Sequence, residues 1–171
     1  MSTKLLTIAV LLLASTAGNT ADTQPSAPLD TTAAWSRLKS LVGEWDGDTA
    51  MGKMHLSYTL TAGGTALVER ESSEHMPEMV TVYYMDGKRL LLTHYCMAGN
   101  QPRMEARAFN PSTGEIQFQF LDITNLANPA AGHMRNASLR FVDDRHVAQN
   151  WQFYENGELK MAEKSEFTRV R

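Results

Sequence analysis

The chain has 171 residues, 43% of them hydrophobic and 20% charged, a balance that suits a globular domain with a core of its own. A formal net charge of -3, with no basic stripe and no interleaved aromatics, argues against nucleic acid or an anionic membrane surface as partner. The single cysteine, Cys96, excludes an intrachain disulfide.

The N-terminus has the layout of an export signal. Lys4 is the only charge before Asp22, and Leu5 to Ala14 form an apolar run of about ten residues, too short to span a bilayer. Ser15-Thr16-Ala17 places small side chains where a signal peptidase reads, so cleavage is expected after Ala17, with Ala21 as the second choice. The division is then a signal peptide over 1–17, a flexible Thr/Ala/Pro/Ser lead over 18–32, and one β-barrel domain over 33–171, with no membrane span in the mature chain. A lone thiol in an oxidising compartment, periplasmic or extracellular, is expected to be buried.

One short helix is predicted over Ala33 to Val42. Trp35, Leu38, Leu41 and Val42 recur at helical spacing, Thr31 or Thr32 stands where a cap is needed, and Gly43 ends the run. At under three turns it needs something to pack on, and a plug or lid over one end of a barrel is the expected role.

Beyond Gly43 the period changes to two. Met54, Leu56, Tyr58 and Leu60 alternate with His55, Ser57 and Thr59, and Gly63-Gly64 marks a hairpin. Asp86-Gly87, Asn110 to Gly114, Asp143-Asp144 and Glu155-Asn156-Gly157 are further turn signals. Met104, Ala106 and Ala108 alternate with charged residues, as do Ile116, Phe118 and Phe120 with glutamines. Glu69-Arg70-Glu71 reads as an exposed face with one inward position, and Asp122 to Gly132 as the longest irregular stretch.

Ten strands are predicted, near 44–51, 53–62, 66–72, 79–85, 88–96, 103–109, 115–121, 134–142, 146–154 and 158–170. Short connections force antiparallel neighbours, and an up-and-down sheet of this width tends to curl and close, which removes its edges. The fold class is therefore all-β, a ten-stranded antiparallel up-and-down barrel with one short N-terminal helix. A β-sandwich, which usually needs longer crossovers, is the alternative.

Leu38 to Gly47, a short helix running into Gly43-Glu44-Trp45-Asp46-Gly47, resembles the opening of calycin-type small barrels. Fatty-acid-binding proteins, lipocalins and the nitrobindin group share versions of it, as do small exported bacterial proteins of unknown function. The resemblance implies that Trp45 packs across the barrel base beside Gly43 and Gly47. Ten strands favour the fatty-acid-binding or nitrobindin type. The nitrobindin type implies haem held by one histidine late in the chain, whereas no histidine follows His146 here.

The densest polar cluster runs from Thr93 to Arg103, and the ligand-binding candidates are His94, Cys96, Asn100 and Arg103, with His133 and Met134 after the long loop. His94 and Cys96 share one strand face, and with His133 they offer imidazole and thiolate ligands for a transition metal, or a thiol with a histidine base. No metal-ligand spacing, no Gly-x-Ser-x-Gly elbow and no phosphate loop accompanies them, so no catalytic residue, metal or cofactor is assigned. Ten methionines suit an adaptable apolar lining, with Arg103 as a fork for a carboxylate head group. The leading expectation is an exported carrier or sensor of a small apolar or amphipathic molecule, with no reaction implied. The alternatives are a metal- or thiol-dependent protein and a filled barrel with a structural or interaction role. Expression in an exporting bacterium should yield a mature chain that N-terminal sequencing reads from Gly18; a fully retained Met1 in every cell fraction contradicts the export signal.

Overall fold

The computed structural model describes residues 29–170, so the signal peptide and most of the flexible lead lie outside the described residues. Helix α1 spans Thr31–Lys39 and is capped by Asp30, whose carboxylate accepts the Ala33 N–H at 2.9 Å. It starts before the expected Ala33 because this carboxylate, rather than a threonine hydroxyl, is the cap. It also ends earlier than Val42. The Ser40 and Leu41 N–H groups bond the Arg37 and Leu38 carbonyls in a tightened last turn, and Gly43, at φ 135°, turns the chain into the first strand. Ala34, Leu38 and Leu41 are buried, while Val42 is exposed.

Ten strands follow in order: β1 (Gly43–Thr49), β2 (Gly52–Thr61), β3 (Ala66–Ser73), β4 (Met79–Asp86), β5 (Arg89–Tyr95), β6 (Gln101–Asn110), β7 (Glu115–Thr124), β8 (His133–Phe141), β9 (His146–Glu155) and β10 (Glu158–Arg169). Each pairs antiparallel with its sequence neighbours, and β1 pairs with β10, so the meander is a closed barrel. The expected closed up-and-down topology is therefore the observed one, and the sandwich alternative falls. Strand β7 runs further than expected into the irregular stretch, because Ile123 and Asp122 continue the pairing with Pro102 and Arg103.

A bulge at Arg107 corrects the alternation read in β6. Ala106 faces Phe118, but Ala108 pairs with exposed Gln117 and Phe109 with buried Ile116, so the inward set shifts from Ala108 to Phe109.

Odd-numbered strands begin at the end that carries α1, and that half of the interior is solid. Leu38, Leu41, Trp45, Leu90, Phe118 and Phe167 are each at most 1% exposed. The Trp45 indole N–H donates to the Leu41 carbonyl at 2.8 Å, which ties the helix exit to the first strand. At the other end the segment after β7 is joined to its neighbouring turns. Asn100 Nδ2 donates to the Gly132 carbonyl at 2.9 Å, Asn125 Nδ2 to the Gly99 carbonyl at 2.6 Å, and the Asn156 N–H to the Ala130 carbonyl at 2.9 Å.

Gly47 lies where β1 meets β10. A Cβ there would stand 2.5 Å from the Glu166 carbonyl oxygen and 2.6 Å from the Phe167 ring, and backbone cannot yield cheaply. Gly47→Ala should therefore destabilise the fold by about 1–3 kcal/mol in urea unfolding; an unchanged midpoint contradicts the close approach.

Candidate functional site

Strand parity places a polar cluster inside the barrel. Buried Leu67 on β3 sets the phase that also turns Glu69 and Glu71 inward, with Arg70 outside and exposed. The sequence reading of Glu69-Arg70-Glu71, with one inward position, is corrected to two. Glu69 is 1% exposed and accepts from the Tyr83 hydroxyl at 2.7 Å and from Gln149 Nε2 at 3.2 Å. Gln149 Nε2 also donates to the Tyr58 hydroxyl at 2.7 Å, and Gln149 Oε1 accepts the Trp151 indole N–H at 3.1 Å. The network spans β2, β3, β4 and β9, so it links opposite walls and satisfies Glu69 where water cannot reach.

Above it, His94 is 2% exposed on β5. Its Nδ1 shares a hydrogen bond of 2.9 Å with Thr81 Oγ1, and its ring lies against Trp151 with centroids 4.9 Å apart. Nε2 is buried and has no partner. Burial lowers the imidazole to about 4, so it is neutral at physiological pH. Glu71 is driven the other way. Burial first, then the charges of Glu69 and Glu163, raise it to about 8. Glu69 is likewise raised by burial, against the lowering effect of its hydrogen-bond donors. Glu163, opposite Trp151 on β10, accepts from the Ala50 N–H and the Ser165 hydroxyl, each at 3.2 Å.

The sequence-derived candidates separate into two groups. His94 and His133 are buried, Asn100 is buried beside the segment after β7, Cys96 is half-buried just past β5, and Met134 packs on the core opposite Phe153. Arg103 is not with them. Pro102 and Met104 point inward, so Arg103 points out, where it forms a two-pronged ion pair with Asp122; as a head-group fork in the lumen it is excluded by strand parity.

His94, Cys96 and His133 do not assemble into a metal centre. Among the described residues no three His, Cys, Asp or Glu side chains are placed to hold a metal ion. His133 Nδ1 is engaged with the Ala131 carbonyl at 2.8 Å, and its ring lies 5.4 Å from that of Phe120. The thiol reading gains no support from the surroundings of Cys96, since burial pushes the thiol up against the lowering bond from the Ala98 N–H, and nearby Glu71 adds to the rise.

The molecule is thus a closed ten-stranded antiparallel barrel, plugged by a helix at one end and carrying the buried acid Glu69, the half-buried Glu71 and a neutral histidine inside. No protein-family model matches the chain, and no curated protein does. Its fold is similar to the crystal structure of Rv2717c from M. tuberculosis, with a TM-score of 0.57 and 15% identity over 81% of this chain and 98% of the other. It is also similar to a protein of unknown function of the DUF3598 family from Nostoc punctiforme, with a TM-score of 0.53 and 14% identity over 78% of this chain. The chain spans about half of that second protein, covering 49% of it. At such identities the likeness shows the fold alone.

Glu71 gives the site a pH signature. Between its ordinary value of 4.5 and about 8 the folded protein holds a proton that the unfolded chain has lost, so this group lowers stability as pH rises through that window. Glu71→Gln should melt higher than wild type by a margin that grows from about pH 5 to about pH 8; a margin that is flat or reversed contradicts a buried acid at this position.

Proposed function

We propose that the protein is an exported carrier or sensor that takes a small, largely apolar or amphipathic molecule into the half of a calycin-type barrel that lies away from α1. The observation that carries this reading is His94 Nε2, a buried nitrogen without a partner on an otherwise packed inner wall. Buried polar atoms are nearly always paired, and one left free at the polar level of the barrel suits a ligand's polar group. Cys96, Asn100, His133 and Met134 are the proposed further contacts, with Arg103 left out. The Asn100 side chain supports its inclusion. Its Oδ1 is also buried and unpartnered, and Asn100 borders an open groove of about 460 Å³ between the loops at this end, together with Gly132 and Phe153. The calycin assignment rests on Trp45, seated at the helix end beside Gly43 and Gly47, and on the strand number. The export assignment rests on the Lys4 to Ala17 pattern.

The solid helix half favours a second reading, in which the whole interior is filled and the barrel serves only as a scaffold or interaction module. Native mass spectrometry in the presence of the neutral probe N-phenyl-1-naphthylamine separates the two. A carrier should hold one probe per chain, with weaker retention in His94→Phe, which fills the space at the free nitrogen. Protein that never retains the probe and never carries a co-purified small molecule contradicts the carrier and leaves the scaffold.

A further inference from the structure

We propose that the barrel selects an organic cation, an alkylammonium group with an apolar body, and that Glu71 and Glu163 are its counter-charges. This rests on the carrier reading and adds the charge of the ligand to it.

Glu69 and Glu71 on β3 and Glu163 on β10 lie on the inner wall, while among the described residues no lysine or arginine is buried. Every ion pair found among the described residues involves other carboxylates, so these three acids have no cation of their own. Glu69 is already satisfied by Tyr83 and Gln149. Glu71 is different. Its neighbours in register are Leu56 and Met79, both buried and apolar, and they offer its carboxyl group nothing. Isolated buried carboxylates are costly, and an incoming cation removes that cost where a neutral or anionic ligand does not.

Two further features suit a cation. Trp151, directly across from Glu163, supplies an indole at the same level, and tryptophan is the best aromatic partner for an ammonium group. His94, stacked on that indole, is neutral with a free nitrogen, so it adds no positive charge and accepts an N–H when its Nδ1 donates to Thr81. A carboxylate or phosphate ligand at this level would meet three acids, which disfavours anionic head groups.

Binding of a fixed cation should be coupled to proton release from Glu71. The titratable groups that face it are Glu69 on its own strand, Glu163 on β10, Cys96 beyond β5, Tyr58 on β2 and Tyr83 on β4. The two tyrosines are held well above their ordinary value and His94 well below, so the pH response over the neutral range belongs to the acids.

The test is calorimetric titration of the protein with octyltrimethylammonium, octanoate and octanol at matched concentrations below micelle formation. The expected order puts the cation at least about tenfold tighter than octanoate. Its affinity should rise with pH by up to about tenfold per unit below the Glu71 value and then level off, because a quaternary ammonium does not itself titrate. Glu71→Gln, nearly the same shape, should lose the cation preference and the pH slope while octanol binding persists, which shows that the variant is folded; Glu163→Gln should weaken the cation in the same direction. Octanol or octanoate binding as tightly as the cation, or a cation preference that survives both substitutions, overturns the cation inference and leaves the carrier reading standing. If none of the three compounds binds, the carrier reading falls with it.

Discussion

Pairing between the first and last strands is the constraint on which the remaining structure depends. Trp45 stands opposite Arg169 and Gly47 opposite Phe167, and this ladder turns a ten-stranded meander with two free edges into a barrel with none. Arg169 reinforces the closure at the helix end of the barrel. Its guanidinium lies 4.2 Å from the centre of the Trp45 ring and donates to the Val42 and Ser40 carbonyls at 2.7 and 2.6 Å, which satisfies the helix exit as well. The same few residues thus fix the seam, the helix and the base of the barrel.

Closure divides the interior into two unlike halves. Near α1, large apolar side chains meet in the centre and leave the helix a hydrophobic surface to cover. Further along, the network of Tyr58, Glu69, Tyr83 and Gln149 forms a polar floor, and above it come His94, Trp151 and the unpaired Glu71. Such a layer costs stability compared with an apolar one of the same shape. Within an otherwise apolar core it is the level where polar groups pair with one another across the barrel.

Much of this architecture was legible in the sequence because period-two alternation and turn residues are local signals. Met54, Leu56 and Tyr58 announce β2, and Asp86-Gly87 the β4–β5 hairpin, without any knowledge of partners. Closure followed from the shortness of the connections. The errors arose where parity had to be carried through an irregularity or weighed against residue type. The bulge at Arg107 has no local signature, so Ala108 was assigned to the wrong wall. Arg103 was placed in the lumen for its chemistry, although the alternation that turns Met104 inward turns Arg103 outward. The opposite error hid the site's acids: charge suggested that Glu69 and Glu71 belong on the surface, yet Leu67 fixes them inside. His94 was found because histidine and cysteine attract notice in any sequence, but its stacking on Trp151 joins strands far apart in the chain and could not be read from spacing.

Amide hydrogen exchange at the seam tests the closed barrel most directly. If β1 and β10 are paired as described, the bonded amides of residues 45–48 and 166–169 exchange as slowly as those of the central strands β4 and β5, because opening them requires opening the barrel. Fast exchange along both of these strands, with protection kept elsewhere, describes an open sheet and contradicts the enclosed interior on which the proposed ligand site is built.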